Sequence, residues 1–401
     1  MDILILAAGS TGDVIPFTGL GVRLLRAGHQ VAIATQPRFE ALVTASGLGF
    51  RPLPGELRRE LKPMQQAAAF IRDMGSGAPA LAEPKVDVLL VNATTAQLGW
   101  QLAEATGAAC VGALLQPVHP TGEFSSVVGG GRSLGRWGNR AAGRLALRIM
   151  DRMYDPTVRR LRAEFGLPPM RAAAVRAREE RAGWPVLYGY STALLPRPAD
   201  WRAGLEVVGN WWPDVPADAQ LPSELVDFLQ AGPPPVLIGF GSMGSGEGER
   251  LSELAVAALR EAGLRGLLQA GWAGLAGGDA HPDILTIGEL PHALLFPQLA
   301  AVVHHGGAGT TAAALRAGTP SLAVPILGDQ PFFGRRIATL GAGPAPIPFK
   351  RLTVDRLATA LTDAVTTRSY RARAAAIAER MAGEDGAGRA VELIEEWTRP
   401  H

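Results

Sequence analysis

The sequence predicts an α/β protein built from two Rossmann-like domains, each a doubly wound parallel sheet, that face each other across a cleft. Three observations lead to this fold class. Apolar strand segments such as residues 3–8 alternate with helical segments in both halves of the chain. The 401 residues exceed what one core usually holds. The 49 glycines and 31 prolines suit a chain with many strand-to-helix turns.

The first half opens with a strand, a turn and a helix. Residues 3–8 are apolar on both sides, as a buried parallel strand requires, and residues 9–13 form a turn. A helix is predicted over 16–27 with Gly28 as its stop, and the next strand over 30–35. The other predicted segments here are a strand at 87–91, a helix at 94–105, a strand at 109–115, a loop at 117–135 and a basic helix to about residue 162.

The alternation breaks down between residues 205 and 222, which indicates a domain boundary. We therefore expect an N-terminal domain at 1–208, a linker at 209–222 and a C-terminal domain at 223–401, whose last helix is a candidate to pack back on the N-terminal domain. The second half is predicted to contain strands at 235–239, 266–270, 284–287, 301–304 and 321–325, helices at 248–262 and 310–317, and a helical end from about residue 352.

Composition excludes several function classes. A single cysteine, Cys110, excludes a disulfide framework and cysteine-based metal sites. A net charge of +2 argues against nucleic-acid binding through bulk charge. No signal peptide and no uninterrupted run of 18 apolar residues is present, so the expected location is the cytoplasm.

Familiar catalytic motifs are missing or badly spaced. The loop 9–13 lacks the three glycines of a dinucleotide fingerprint, and no acid ends the second strand. There is no phosphate-binding Gly-Lys loop and no D-x-D pair, and the residue two before Ser242 is Phe240 and not the glycine of a G-x-S-x-G turn. His304 and His305 are adjacent, so their side chains diverge and do not form a two-histidine metal site.

The strongest motif is a candidate phosphate site at residues 301–311. A buried strand ends at His304 and His305, passes three glycines and enters a helix. Glycines uncover backbone N–H groups, and a helix N-terminus attracts anions, so the segment suits a phosphate. A tight packing turn without a ligand is the alternative. The histidines at the carboxyl end of a parallel strand favour the ligand, because open α/β sheets bind ligands there.

Two further polar loops follow neighbouring strands. Asp329 and Gln330 are suited to hydroxyl groups of a sugar, although Asp329 is also an ordinary helix cap. Ser242 lies in a glycine-rich loop at 239–244 that offers more bare backbone. The three loops together indicate a ligand that combines a diphosphate with a sugar.

These residues resemble the donor-site signature of the inverting nucleotide-sugar glycosyltransferases with two Rossmann domains (GT-B), especially the sterol glucosyltransferases and the antibiotic glycosyltransferases. The resemblance rests on four motifs. They are His304-His305-Gly306-Gly307-Ala308-Gly309-Thr310-Thr311 with Arg316 to Pro320 and Asp329-Gln330-Pro331; Gly9-Ser10-Thr11-Gly12-Asp13-Val14 with Pro16; Ile238 to Met243; and Leu290-Pro291-His292 with Leu295-Phe296-Pro297.

The resemblance implies a donor site on the C-terminal domain, an acceptor site on the N-terminal domain and Asp13 as the general base. The implied donor residues are Gly12, Ser242 at a phosphate or the nucleoside, Trp272 over the base, Leu290 at the base through its backbone, His304, Gly306, Gly307, Ala308, Gly309 and Thr310 at the diphosphate, and Asp329 and Gln330 at the sugar. The implied acceptor residues are Gln116, Val118 and His119. No metal and no cofactor are implied beyond the nucleotide-sugar co-substrate.

The sequence departs from the plant branch of the resembled family at three positions. Asp13 stands where plant members have histidine, Ala312 where they have a ribose-binding glutamate, and Leu290 where they have a base-stacking tryptophan. The nucleotide therefore stays open between UDP and dTDP.

The resemblance implies a metal-independent inverting transfer of a sugar, glucose first among candidates, from a UDP- or dTDP-sugar to a hydroxyl of a hydrophobic small molecule. Sterols, terpenoids, macrolides and polyphenols are the acceptor classes considered. Two alternatives are open: an epimerase of sugar nucleotides on the same fold, and a non-catalytic sugar-nucleotide-binding protein. No nucleic-acid partner is expected, and both a monomer and a homodimer fit.

An arginine row precedes the predicted linker. Six arginines recur every four residues, and residues 132–181 contain thirteen arginines against five acids. A solvated helix face is one interpretation. A weak peripheral contact with an anionic membrane is the other. The six arginines of the row are Arg132, Arg136, Arg140, Arg144, Arg148 and Arg152.

Overall fold

The computed structural model describes residues 1–56, 63–127, 130–215, 218–240, 247–270 and 282–399. The chain divides into two compact units. Unit 1 comprises residues 1–126, 134–214 and 384–401, and unit 2 comprises residues 127–133 and 215–383. Each unit contains one parallel sheet, as the sequence predicts. None of the described helices is both long and apolar enough to span a bilayer.

Unit 1 contains a seven-stranded sheet in the order β3-β2-β1-β4-β5-β6-β7, with every neighbouring pair parallel. Its strands are β1 (Asp2–Leu6), β2 (Gln30–Thr35), β3 (Gly49–Pro52), β4 (Val88–Val91), β5 (Ala109–Leu114), β6 (Val186–Tyr188) and β7 (Leu205–Val207). Its helices are α1 (Thr11–Arg26), α2 (Glu40–Ala45), α3 (Pro63–Gly77), α4 (Ala96–Thr106), α5 (Gly135–Glu164), α6 (Ala172–Arg181) and, far along the chain, α14 (Gly386–Trp397).

Helices cover both faces of this sheet because its central strands are apolar on both sides. Ile3 and Ile5 of β1 join a core with Phe17 of α1 and Ile394 of α14. On the opposite face α4 lies so close to β4 that a Cβ at Gly99 would come within 2.3 Å of the Val91 side chain. The long helix α5 packs outside α4.

Unit 2 contains a five-stranded parallel sheet in the order β10-β9-β8-β11-β12. Its strands are β8 (Val236–Gly239), β9 (Gly266–Gln269), β10 (Ile284–Ile287), β11 (Ala301–His304) and β12 (Ser321–Ala323). Its helices are α7 (Ser223–Gln230), α8 (Gly248–Glu261), α9 (His292–Leu295), α10 (Ala308–Arg316), α11 (Gln330–Leu340), α12 (Val354–Thr366) and α13 (Arg368–Ala382). Helices α8 and α12 bury one face of the sheet, and α7, α9 and α10 line the core on the other.

Two segments lie in a different unit from the sequence around them. Residues 127–133 cluster with unit 2 although they lie inside the expected N-terminal domain, and residues 384–401 belong to unit 1, the packing for which the last helix was a candidate. The first difference has a local cause: a Cβ at Gly131 would come within 3.0 Å of the backbone of Phe332, so this segment lies directly on α11. The second follows from the apolar face of α14, which completes the core beside α1.

Helix α1 begins five residues earlier than the sequence suggests. Pro16 marks the predicted start, but the helix begins at Thr11 and contains Pro16 inside it. Pro16 is the sixth residue of the helix, beyond its first turn, so its missing N–H costs α1 one backbone hydrogen bond, to the carbonyl of Gly12. Asp13 therefore lies in the first turn of a helix and not in a loop.

Candidate active site

Two of the predicted site segments lie at the carboxyl ends of strands where the strand order reverses. In unit 1 the order reverses between β1 and β4, and in unit 2 between β8 and β11. Such switch points open a crevice in which α/β sheets bind ligands. Asp13 follows β1, and the glycine-rich segment at 305–309 follows β11.

Asp13 is held by its own helix start. Its Oδ2 accepts hydrogen bonds from Ser10 N and Ser10 Oγ, both at 2.8 Å. Burial raises the pKa of Asp13 above its usual value, and the bonds from Ser10 and a hydrogen bond with the Gln116 side chain oppose that rise. Both Ser10 bonds end on Oδ2, so Oδ1 lies outside them. A positioned carboxylate with a raised pKa is suited to accept a proton.

The Asp13 carboxylate requires Gly9. Gly9 has φ +144°, and a Cβ there would come within 2.5 Å of Asp13 Oδ2. Asn92 after β4 donates from Nδ2 to the carbonyl oxygen of Ala8 at 3.0 Å, and Arg38 donates to that of Gly9 at 2.7 Å. The loop between β1 and α1 is therefore fixed on more than one side.

Gln36 supports the same loop and was not anticipated as a site residue. It is 1% exposed at the end of β2, and its Oε1 accepts from Gly9 N at 3.4 Å. Its Nε2 has no hydrogen-bond partner among the described residues. A buried polar residue at a strand end beside the switch point is the sequence signal that would identify it.

The predicted acceptor residues separate into two environments. Gln116 interacts with the Asp13 carboxyl group, so these two predicted residues meet. Val118 is half-buried and lies beside α5, lining a small cavity with Asn139 and Gly143.

His119 is placed inside the protein and not toward an acceptor. It is 7% exposed, its Nε2 lies 2.9 Å from Glu180 Oε1 and its Nδ1 is hydrogen-bonded to the Tyr188 hydroxyl. The ring also contacts Trp184 and Trp201. Because both ring nitrogens have partners, we assign His119 a structural role in joining the loop after β5 to β6 and α6.

His304 ends β11 as a buried hydrogen-bond donor. It is 1% exposed, and its Nδ1 accepts from Gly306 N at 3.1 Å. The proton of the neutral ring is therefore on Nε2, which has no partner among the described residues. Buried donors are normally satisfied, so an unpartnered one next to a glycine-rich turn points to a ligand.

The turn after β11 depends on its first glycine. Gly306 has φ +89°, and a Cβ there would approach the carbonyl oxygen of Gln330 to 2.9 Å. Gly307 precedes α10 with no side-chain cap, so the first amides of this helix, at Ala308, Gly309 and Thr310, are not taken by a capping side chain. A Cβ at Gly309 would meet nothing within 4 Å. The helix thus begins with bare, positively polarised backbone.

Three neutral histidines lie near this turn. Burial lowers the pKa of His304 to about 3, and the neighbouring His305 and His292 contribute. Burial likewise lowers the pKa of His305 to about 4 and that of His292 to about 4. The turn therefore offers hydrogen-bond donors and helix polarity, not histidine cations. Of the atoms near it, His305 Nδ1 and Thr311 Oγ1 are also buried without partners among the described residues, and sequence reasoning gave neither a role.

Asp329 and Gln330 begin α11 beside the same turn. Gln330 is 5% exposed, and its Oε1 accepts from Ile326 N at 2.8 Å and Leu327 N at 3.1 Å. This side chain holds the loop between β12 and α11. Asp329 is half-buried at the N-cap position without a capping side-chain bond. The close approach of Gln330 O to Gly306 places this loop against the turn after β11.

The structure describes two of the four remaining predicted donor residues. Leu290 packs its side chain on the core that contains Leu295 of α9. Gly12 lies exposed in the first turn of α1, in unit 1. Ser242 and Trp272 lie outside the described residues. Among the described residues no cluster of three histidines, cysteines or acids is placed to hold a metal ion.

Comparisons with known proteins give matches in both halves of the chain. Residues 3–80 match the glycosyltransferase family 28 N-terminal domain, and residues 277–396 match the erythromycin biosynthesis protein CIII-like C-terminal domain. The O-mycaminosyltylonolide 6-deoxyallosyltransferase of Streptomyces fradiae is 34% identical over 99% of this chain and 97% of its own length.

A second relative is longer than this chain. The sterol 3-beta-glucosyltransferase UGT80A2 of Arabidopsis thaliana is 32% identical over 98% of this chain, which spans 65% of that protein. Among solved structures, the glycotransferase of kitacinnamycin superposes with a TM-score of 0.78 at 22% identity, covering 99% of both chains. The glycosyltransferase VinC in complex with DTDP gives a TM-score of 0.71 at 21% identity, again over 99% of both chains. These two structures share the fold.

Proposed function

This chain belongs to the GT-B glycosyltransferases and is a hexosyltransferase, and we propose that it moves a sugar from UDP or dTDP to a hydroxyl of a hydrophobic acceptor, with inversion and without a metal ion. Glucose is the first sugar to test. The acceptor oxygen forms a bond to the anomeric carbon while the bond from that carbon to the diphosphate oxygen breaks. The nucleoside diphosphate leaves from the opposite face, which inverts the configuration.

Asp13 accepts the proton of the attacking hydroxyl in this proposal. Its Oδ2 is held by Ser10, which fixes the carboxylate, and Oδ1 lies outside those two bonds. Burial raises the pKa of Asp13, which makes its carboxylate a stronger base than an exposed aspartate. General bases positioned in this way typically contribute about 10²–10⁴-fold to the rate.

The turn after β11 stabilises the leaving diphosphate. The start of α10 has no side-chain cap, and His304 Nε2–H is a buried donor without a partner among the described residues. Preorganised donors of this kind stabilise charge that develops in the transition state without a metal ion. Asp329 and the loop held by Gln330 lie against the turn, where they are suited to bind the sugar.

The acceptor class follows from the relatives and stays broad. The Arabidopsis relative is named for a sterol and the Streptomyces relative for a macrolide glycoside. Both are large, mostly apolar molecules with a reacting hydroxyl. We therefore expect this chain to accept a polycyclic or macrocyclic alcohol.

The observation that carries the proposal is the unpartnered His304 Nε2 beside the uncapped start of α10. The test incubates the protein with UDP-glucose or dTDP-glucose and measures release of the nucleoside diphosphate, with and without sterols and macrolide aglycones. Release that requires an acceptor, with a β-linked product from an α-linked donor, supports the proposal. Conversion of the donor to its epimer without an acceptor contradicts it.

Turnover measured in the presence of a chelator tests separately whether the mechanism needs a metal ion. We expect EDTA to leave turnover unchanged, because bare amides and His304 hold the diphosphate. Loss of activity in EDTA that one divalent metal restores would overturn this part of the proposal while leaving the transfer reaction intact.

A further inference from the structure

The outer face of the first half of α5 exposes a row of large apolar side chains. Trp137 is 86% exposed, Leu134 66%, Leu145 56% and Ile149 45%. At 100° per residue these four positions, with Leu134 just before the helix, fall within about 120° of one another. Single exposed apolar residues are common on protein surfaces, but a contiguous row with a tryptophan marks an interaction site.

The fold itself does not use this face. Helix α5 is anchored by its opposite side, where Asn139, Gly143 and Tyr154 are buried. A Cβ at Gly143 would come within 3.1 Å of Pro120, and the Tyr154 hydroxyl donates to the carbonyl oxygen of Thr94. The apolar row therefore exposes hydrophobic surface that packing within unit 1 does not require.

At 100° per residue, Arg148 and Arg152 lie among the apolar side chains of the row and Arg144 lies at its edge. Residues 135–150 contain no aspartate or glutamate. The exposed side chains of Arg136, Arg144, Arg148 and Arg152 form no ion pair among the described residues. Arg140 differs, because it is bound to Asp200 at 2.6 Å. The free charge on this face is therefore entirely positive.

The first acid of the helix does not reach this face either. Asp151 is 4% exposed and accepts from Gln97 Nε2 and Arg176 Nε, both at 2.8 Å. It is satisfied on the inner side of α5. The outer face thus combines apolar side chains with uncompensated arginines.

We propose that this face of α5 lies on an anionic lipid surface. A helix whose exposed face carries apolar side chains together with cations lies in the plane of the membrane interface, with the apolar side chains among the upper acyl chains and the cations at the lipid phosphates. Tryptophan prefers that depth, and arginine binds lipid phosphates. The charge pattern argues against a second copy of this chain as occupant, because two such faces would oppose their arginines without an acid between them.

The experiment measures co-sedimentation of the protein with vesicles of phosphatidylcholine alone or mixed with phosphatidylglycerol. We expect binding to the mixed vesicles at low salt, a decline with added salt and little binding to phosphatidylcholine alone. The Arg144→Gln/Arg148→Gln variant should bind mixed vesicles about twentyfold more weakly, since each arginine near an anionic surface contributes about fivefold. Trp137→Ser should weaken the binding that persists at high salt.

Matched controls remove two arginines and one exposed apolar side chain elsewhere on the surface. The Arg368→Gln/Arg380→Gln variant removes two exposed arginines from α13, and Met64→Ser removes an exposed apolar side chain that is 63% accessible on α3. Both controls should bind vesicles like the parent protein. No sugar nucleotide is present, so the outcome does not depend on the proposed transfer reaction.

Three outcomes would overturn the proposal. The first is no binding to mixed vesicles at low salt. The second is equal loss of binding in the α5 variants and their controls. The third is a dimer in light scattering that Trp137→Ser converts to a monomer, which would assign the face to a second copy.

Discussion

In unit 1 the chain passes from β1 into α1 through Gly9, and in unit 2 it passes from β11 into α10 through Gly306. Both glycines have positive φ, and both junctions lie at a reversal of strand order. The helix start is used differently in each. In α1 the Asp13 side chain turns back to the Ser10 backbone N–H, whereas α10 has no side-chain cap.

The difference shows how one backbone plan produces opposite chemistry. The Asp13 carboxylate accepts hydrogen bonds from Ser10 N and Ser10 Oγ through Oδ2, and these bonds fix the base in position. Its Oδ1 takes part in neither of them. A helix start without such a side chain stays available to an anion, and the neutral His304 adds a donor to it. Placing the acid in one junction and keeping it out of the other separates proton transfer from leaving-group stabilisation.

The largest expected effect comes from the unit 1 junction. Asp13→Asn should lower turnover at least about 100-fold, because asparagine preserves the bond from Ser10 N but cannot accept the acceptor proton. Affinity for UDP or dTDP, measured by calorimetry, should be nearly unchanged. Glu40→Gln, an exposed acid in the first turn of α2, is the control. Near-normal turnover of Asp13→Asn would show that Asp13 caps the helix and is not the general base.

The second effect concerns the unit 2 junction. His304→Ala should weaken binding of the nucleoside diphosphate about ten- to a hundredfold, since a hydrogen bond to a charged group contributes about 1.5–3 kcal/mol. His29→Ala removes a histidine that contacts Glu395 in unit 1 and should leave this affinity unchanged. Thermal melts of both variants check that the fold persists. An unchanged dissociation constant for folded His304→Ala would remove His304 from the diphosphate site.

A pair of glycine variants separates backbone strain from ligand contact. Gly306→Ala should lower the free energy of unfolding by about 1–3 kcal/mol, because alanine is strained at φ +89° and its Cβ would meet Gln330 O at 2.9 Å. Gly309→Ala should leave stability equal or raise it by up to about 1 kcal/mol, because its Cβ is in open space within a helix. Denaturant unfolding measures both.

Nucleotide binding by the Gly309→Ala variant gives a second test. If the amides at the start of α10 hold the diphosphate, Gly309→Ala should weaken nucleotide binding without loss of stability, because its Cβ lies where the anion approaches. Unchanged affinity together with unchanged stability would place the diphosphate elsewhere.

The smallest expected effect is a shift in pH dependence. The Ser10 Oγ bond lowers the pKa of Asp13 against the larger effect of burial. Ser10→Ala should therefore raise that pKa, so the acid limb of the kcat/KM profile should move to higher pH. Thr11→Ala, which removes the neighbouring hydroxyl, should not move it. A shift to lower pH would contradict the assignment of Asp13 as the base.

The sequence was informative where a local pattern determines the structure. The run from 301 to 311 is apolar, then glycine-rich, then helical, and the structure has β11 and α10 in those places. Pro16 misled the prediction of α1, because a proline near a helix start resembles the first helical residue. The short strands β6 and β7 have three residues each, too few for a periodic signal.

Side-chain environments depend on contacts that no local pattern records. His119 looked suitable for an acceptor, but Glu180 and Tyr188, more than sixty residues away, occupy both of its nitrogens. The lowered pKa of His304 likewise results from burial among elements distant in sequence. Arginine spacing predicted a charged stripe along α5, while the exposure of Trp137 depends on which side of that helix is packed.

Unit 1 is assembled from segments at opposite ends of the chain, and this determines the order in which it is completed. Ala390, Leu393 and Ile394 of α14 belong to the core that contains Phe17 of α1. On the ribosome α1 emerges first, yet its partner helix follows after the whole of unit 2 has been synthesised. Unit 2 is nearly continuous in sequence and can finish first. The nascent protein therefore carries an uncovered apolar surface on α1 until α14 has been synthesised, and this surface is a chaperone-binding site that is absent once α14 has packed.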